Sequence, residues 1–400
     1  MVCAPAKLAV VGGRRGRSYN RAVKEVLGDK VQIVAICDLV DDVLARWRRE
    51  FQDIQTYKDY DRMLQESDCD AVYVATPIML HAEQSIKAMK AGKHVLCEVV
   101  AAISLDECWR LVETVRDTKM TYMFAENTCY IRSGMMILNM VQKGVFGELV
   151  YGEASYIHDV KGMLFYPDGK LTWRGMLTRS HPGNWYPTHS LGPVVQWLNA
   201  AQKNGDRLVR TATFQSKSAS LPLYVNKKFG QTHPGAKRDY WAQGDSVVTL
   251  IQTEHDALIV LRCDFHSPGT RGNDYLLTGT AASYISIRDN PLIWIEGKEE
   301  KQEEVRFELK PPEWESLYKY ADKFEHTLWK QWGETAQKGG HGGVDFLTIV
   351  EFVDTLLKRK WPPIDVYDGV TWSCITPLSA ESLRKGNAPL EIPDFRKGSR

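Results

Sequence analysis

No stretch of this chain is long and apolar enough to span a membrane. Its longest hydrophobic runs, such as LAVVGG and DAVYVATP, are strand-sized, far short of the roughly 20 residues a membrane helix needs. Charge of one sign is equally scarce: 51 Lys and Arg stand against 50 Asp and Glu, a formal net charge of +1. Without a global field the chain is not built to recruit nucleic acid, an anionic membrane or another highly charged polymer, so selectivity has to come from a local site. The eight cysteines, at positions 3, 37, 69, 97, 108, 129, 263 and 374, form no CxxC pair and no framework spacing. Scattered through apolar runs, they read as buried free thiols in a reducing cytoplasm. No HExxH, Cys/His cluster or repeated carboxylate spacing suggests a metal. The first residues lack a long apolar core with a small-residue cleavage site and read as a first strand, not a signal peptide. A cytoplasmic protein is the expectation.

What is present is an ordinary globular composition, 44% hydrophobic and 25% charged over 400 residues, enough for two domains with separate cores. Residues 1–125 alternate strand and helix signals: strands at 7–11, 31–37, 71–75 and in HVLCEV, helices at 17–27 and 80–91. SLDE then places Ser104 three residues before Glu107, a capping box that opens a helix to about Asp117. That order predicts a Rossmann-type, doubly wound parallel sheet. From 126 to 400 the pattern changes to an α+β domain. Period-two alternation in DSVVTLIQT, ALIVLRCDF, YISIR and LIWIEG predicts a large, open antiparallel sheet. Helices return in SGMMILNMVQKG, GGVDFLTIVEFVDTLLKRK and YDGVTWSCITPLSAESLRKG, and these last helices could pack back on the first domain. GKEEKQEEVR reads as a solvated hairpin edge.

Between the first strand and its helix, LAVVGGRRGRS carries Gly12, Gly13 and Gly16. Glycines there permit a sharp turn and close backbone approach, so that a pyrophosphate can sit on the amides of a helix N-terminus. A strict GxGxxG would need glycine at 11, which is Val11, and a purely structural turn is the alternative. Asp38, 22 residues beyond Gly16 at the end of the second strand, can accept hydrogen bonds from ribose hydroxyls. It argues for NAD over NADP, because it would repel a 2′-phosphate and Leu39 offers no cation. Arg14, Arg15 and Arg17 are either pyrophosphate contacts or solvated surface arginines. Thr76 and His81, in the loop after the strand at 71–75, are candidate cofactor contacts, with a satisfied helix-start histidine as the other reading of His81.

SHPGNWYPTHSLGPV, residues 180–194, crowds two histidines and two aromatics among three prolines and two glycines. Its phrase YPTHSLGPV, together with AENTCY, VFGELVYGEASYIHD, WRGM, GDSVVTLIQT and GGHGGVDFLTIVEFVDTL, resembles the Gfo/Idh/MocA sugar oxidoreductases, and within them glycoside hydrolase family 109, the NAD-dependent α-N-acetylgalactosaminidases. The resemblance runs nearly end to end. Ordinary sugar dehydrogenases of that superfamily carry Glu-Lys-Pro after the fourth strand; here Glu98-Val99-Val100 has no lysine, which argues for the glycosidase-like branch.

The resemblance implies a tightly held, recycled NAD that removes a hydride from C3 of a sugar. The C2 proton is thereby acidified, a base removes it, the C1 group is eliminated, water adds and the hydride returns. On that reading His189 handles the proton at O3, its alternative being a cap for a helix beginning near Gly192. Tyr156 matches the tyrosine proposed as the C2 base, or is a strand aromatic. Tyr186, Arg174 and Glu126 match positions that bind hydroxyls and order the site; Glu126 could instead form an ion pair at the domain junction. Glu98, Asn127 and Trp185 complete the expected cofactor set. His341 either lines the site or belongs to a flexible loop, and His158 and Asp159, adjacent in a strand, would point oppositely. The glycone is open: Arg271, His266, Lys237 and Arg238 would suit a sulfonated sugar or uronic acid, against an N-acetylhexosamine with those cations at the surface. The competing functions are an NAD-dependent glycoside 3-dehydrogenase and a non-catalytic dinucleotide-holding protein. An open sheet with an apolar face also predicts a homo-oligomer, a dimer or tetramer.

Overall fold

The computed structural model describes residues 4–270, 272–297, 313–338 and 340–397. It divides into two compact units, one of residues 1–130, 328–374 and 393–400, the other of 131–327 and 375–392. The chain therefore returns to the first unit twice after leaving it.

The first unit is built on strands β1 (Ala6–Val11), β2 (Val31–Cys37), β3 (Gln55–Tyr57), β4 (Ala71–Val74), β5 (His94–Cys97) and β6 (Tyr122–Phe124). They lie in the order β3-β2-β1-β4-β5-β6, all parallel. β1, β4 and β5 read as unbroken apolar runs because both their faces are covered: Val10, Val72, Tyr73, Val74, Val95 and Leu96 have no exposed surface. The strand order turns back between β1 and β4, where Val11 pairs with Val74. Such a reversal opens a crevice at the carboxyl ends of the strands.

The capping box is present: Ser104 Oγ accepts from Glu107 N at 3.2 Å while Glu107 Oε2 accepts from Ser104 N at 3.2 Å, opening the helix Leu105–Thr118. Between β2 and β4 the structure adds the helices Asp41–Glu50 and Tyr60–Glu66 around the short edge strand β3. The helix expected at 17–27 is a 3-10 turn, Arg15–Tyr19, running into an α-helix, Asn20–Glu25. YDGVTWSCITPLSAESLRKG forms two helices, Val366–Ser373 and Ile375–Arg384, that part at Cys374. The first of them stays in the first unit, where Ser373 Oγ accepts from Ala101 N at 2.9 Å.

The second unit holds β7 (Leu149–Ile157), β8 (Leu208–Gln215), β9 (Val247–Thr253), β10 (Leu258–Asp264), β11 (Gly272–Gly279), β12 (Ala282–Ile287), β13 (Asn290–Ile295), β14 (Glu315–Ser316) and β15 (Leu390–Glu391). Their order is β14-β13-β12-β11-β7-β10-β9-β8-β15. The sheet is mixed, because β7 and β10 run parallel while the other pairs are antiparallel.

Register gives the sheet two distinct faces. One row across seven strands reads Ile293, Tyr284, Leu277, Gly152, Ile259, Ile251, Thr211, and every member is buried. The helix Thr188–Ala201 covers this side so closely that a Cβ on Gly152 would stand 2.6 Å from Val194. On the other side the neighbouring row is Leu292, Ile285, Leu276, Glu153, Val260, Leu250, Ala212, whose members are half-buried or, for Glu153, exposed. Between β12 and β13, RDNP makes a two-residue turn with Arg288 at φ 52° and Asp289 at φ 59°, the primed geometry that matches strand twist. GKEEKQEEVR lies almost wholly outside the described residues.

Candidate active site

In the first unit the three glycines have separate steric reasons. Gly12 has φ +92°, and a Cβ there would stand 2.4 Å from the Ala75 carbonyl oxygen, so the loops after β1 and β4 meet backbone to backbone. On Gly13 a Cβ would strike Val43 and Trp47, and on Gly16 it would strike Val10 at 2.4 Å. Trp47 Nε1 also donates to Gly13 O at 2.9 Å. Asp38 closes the loop from the next strand: its carboxylate accepts from Gly13 N at 2.7 Å and from Val40 N at 2.9 Å. A strand end, a glycine cradle that side chains would fill and a carboxylate at the neighbouring strand end fit a dinucleotide.

The arginines of the loop separate. Arg14 is exposed, and Arg17 pairs with Glu50 at 3.1 Å. Arg15 is inside an ionic cluster: its Nε donates to Glu98 at 2.7 Å and its terminal nitrogens to both oxygens of Asp345 at 3.2 Å. Tyr73 donates to Glu98 at 2.5 Å, Asn127 Nδ2 to Asp345 at 2.8 Å, and His341 Nδ1 lies 2.7 Å from Asp345. Burial opposes ionisation of Asp345, but His341 and Arg15 outweigh it and hold its carboxyl well below the usual range. Glu98, Asn127 and His341 are thus gathered with Asp345, a residue sequence reasoning did not single out, on the helix Val344–Lys358.

His81 is buried, with Nδ1 2.7 Å from Val100 O and Nε2 2.8 Å from Thr76 O. Burial disfavours its charge, yet Cys97 and the two carbonyls prevail and its pKa is pushed up to about 9. The side chain therefore clasps the loop after β4 to the loop after β5. Thr76 turns its hydroxyl to Gln84 at 2.6 Å. Glu126, just beyond β6, has no exposed surface and accepts from Thr128 Oγ1 at 2.7 Å.

The second unit assembles a ring cluster. Tyr156 near the end of β7 lies 5.8 Å from Tyr186 and 5.2 Å from His189, centroid to centroid, and Tyr186 lies 5.0 Å from His189. Phe265, just past β10, is 5.8 Å from Tyr156 and 4.5 Å from Trp185, centroid to centroid. The parallel pairing of β7 with β10 sets Cys263 opposite Tyr156, which is how Phe265, absent from the sequence-based set, arrives there. Arg174 is half-buried, stacked 4.2 Å from the centroid of Trp173. Burial lowers its pKa while Tyr186 and Tyr156 raise it, which locates its charge beside those phenols.

The loop carrying Tyr186 is pinned by three hydrogen bonds. Gly183 N donates to Gln215 at 3.1 Å, Asn184 N to Ser379 at 2.9 Å, and Trp185 Nε1 to Gln243 at 2.8 Å. Trp185, 2% exposed, acts here as a packing anchor. The helix that follows begins at Thr188, four residues before Gly192, so His189 sits in its first turn. His158 and Asp159 lie beyond the end of β7; Asp159 pairs with Lys161 at 2.6 Å.

His266 has no exposed surface and burial pushes its pKa down to about 4, so it is neutral at pH 7. Lys237 and Arg238 are exposed, and Arg271 lies outside the described residues. Among the described residues no three His, Cys, Asp or Glu side chains are placed to hold a metal ion. No helix among them is long and apolar enough to cross a membrane.

The same fold occurs among solved structures. Levoglucosan dehydrogenase in complex with NADH and L-sorbose matches it with a TM-score of 0.77 over 98% of this chain and 100% of its own, at 17% identity. Scyllo-inositol dehydrogenase from Lactobacillus casei gives 0.66 over 97% and 99%, at 15% identity; the likeness is one of fold. Residues 6–126 match the oxidoreductase-family NAD-binding Rossmann fold, and residues 130–400 match the glycosyl hydrolase 109 C-terminal domain. Glycosyl hydrolase family 109 proteins of Solibacter usitatus (strain Ellin6076) and Stenotrophomonas maltophilia (strain K279a) are 36% and 35% identical to it, over 98% of this chain and 88% and 89% of theirs. The chain belongs to glycosyl hydrolase family 109. Family and fold together define an NAD-dependent sugar enzyme, glycosidase or dehydrogenase.

Proposed function

We propose that the chain is a cytoplasmic NAD-dependent glycosidase that cleaves through transient oxidation at C3 of the glycone, with the cofactor kept on the enzyme and recycled. The observation that carries this reading is the ring cluster: one imidazole and two phenols within 6 Å of one another, with Arg174 beside them. When bound, NAD supplies an acceptor and later a donor of hydride, held by Gly12, Gly13, Asp38 and the loops that His81 clasps. The remaining work is proton transfer and orientation by the chain itself. His189, an imidazole and so able to accept and give up a proton, takes and returns the proton of the C3 hydroxyl. Tyr156 removes the proton from C2, and Tyr186 and Arg174 fix the sugar's hydroxyls so that both proton transfers occur at short range. No pair of carboxylates flanking the glycosidic bond is needed, in contrast to ordinary glycosidases. Among the described residues seven cysteines are buried free thiols, which fits a reducing compartment.

The test uses the purified protein without added NAD and a panel of aryl glycosides that includes N-acetylhexosaminides, uronides and a sulfonated sugar. Repeated aglycone release with no net NADH absorbance supports the proposal. Stoichiometric NADH without aglycone release makes the protein a glycoside 3-dehydrogenase, and neither signal makes it a non-catalytic binder.

The half-exposed row Leu292, Ile285, Leu276, Val260 and Leu250 supports a homo-oligomer joined on that sheet face, since five apolar side chains in line favour burial. Light scattering on Val260→Arg should report a smaller species than the parent; an unchanged mass would remove this face from the interface.

A further inference from the structure

His189 sits on an irregular piece of helix. It is the second residue of Thr188–Ala201, and Pro193 stands four residues on, inside the same helix. In a regular helix the N–H of residue 193 would be given to the carbonyl of residue 189. Proline has no N–H, and its ring crowds that very carbonyl. A carbonyl deprived of its helical partner in a packed region calls for another donor.

The donor comes from a different element. Tyr275 Oη donates to His189 O at 2.6 Å. Tyr275 is 6% exposed and belongs to β11, where it pairs with Ala154 of β7, two residues before Tyr156. Its ring meets Trp197, further along the same helix, edge-on at 5.8 Å. One strand neighbour therefore braces both proton-handling groups: Asn273 pairs across from Tyr156, and Tyr275 holds the peptide of His189. A buried tyrosine commonly finds a carbonyl for its hydroxyl; here the carbonyl is the one to which residue 193, being proline, cannot donate.

We propose that Tyr275 is a positioning residue for His189, and that Pro193 and Tyr275 work as a pair: the proline releases the His189 peptide from the helix ladder and the tyrosine sets where it goes. The inference takes only the role of His189 from the proposed function. Tyr275→Phe keeps the ring against Trp197 and removes the donor. Turnover should fall about tenfold with KM little changed, the size of one lost hydrogen bond expressed in the reaction and not in binding. Pro193→Ala puts an N–H back at position 193, so the double variant P193A/Y275F should recover to within about twofold of P193A alone.

A second readout needs no substrate. In protein labelled with ¹³C-histidine, the His189 Cε1–H resonance, assigned by its disappearance in His189→Ala, should shift and broaden in Tyr275→Phe and return in the double variant. The same loss of turnover in both backgrounds, or a His189 resonance unmoved by Tyr275→Phe, overturns the proposal. Should the parent cleave no glycoside, the proposed function fails, and the resonance alone decides the positioning role.

Discussion

Replacing His81 with glutamine should remove a block of pH-dependent stability whose size and sign follow from two contacts. Both ring nitrogens face backbone carbonyls, Val100 O at 2.7 Å and Thr76 O at 2.8 Å. Carbonyls only accept, so both nitrogens have to donate, which the imidazolium alone can do. Its pKa rises from 6.5 to about 9 against the opposing cost of burial. At roughly 1.4 kcal/mol per pH unit, that difference corresponds to about 3 kcal/mol. Because the folded value is raised, the contribution is complete below pH 6.5 and is lost as pH climbs through about 9.

Glutamine at 81 does not titrate and leaves at least one of the two carbonyls without a donor. Urea unfolding of parent and His81→Gln at pH 6 and pH 9.5 isolates the effect, because the other titrating groups are common to both. The parent's advantage should shrink by about 3 kcal/mol between the two pH values. An advantage that stays constant, or a His81 ring shown by NMR to be neutral at pH 7, would refute the reasoning. The same variant should hold NAD more weakly, since the clasp joins two loops at the carboxyl edge of the sheet.

Gly12→Ala would place a Cβ 2.4 Å from the Ala75 carbonyl oxygen at φ +92°, so protein purified from it should release no nicotinamide cofactor on denaturation; full retention would put the cofactor elsewhere. Arg15→Met leaves Glu98 and Asp345, both buried, without their shared cation, a loss of about 3–5 kcal/mol by analogy with other broken buried pairs, to be read as a fall in melting temperature. An unchanged melting point would mean that the cluster is not ionic. Tyr156→Phe should stop incorporation of solvent deuterium at C2 of a bound glycoside while leaving NADH formation from it detectable; continued exchange would assign the C2 proton to another group.

The parts of the fold that could be read from the chain are those whose physics is local. β1, β4 and β5 announce themselves because burial on both faces demands unbroken apolar runs, and Ser104 with Glu107 satisfies a helix end within four residues. The strand Gln55–Tyr57 gives no such signal, since three residues at a sheet edge carry no measurable period. Alternation along β7 and β10 reports that each has two faces, but period two is the same in parallel and antiparallel ladders, so the parallel pairing was invisible. That pairing is what delivers Phe265 to the rings.

The candidate site follows the same division. The three glycines and Asp38 lie within one strand–helix–strand unit, where spacing is meaningful, and Tyr186 and His189 share one loop-to-helix junction. Arg15 resisted reading because its partners are 83 and 330 residues away, and a charge's environment is a property of what folds against it. The same holds for Tyr275, 86 residues from the carbonyl it serves. A hint was nonetheless written beside His189: a proline four residues on inside a helix states that residue 193 cannot donate to that carbonyl, and only the fold can say which group does.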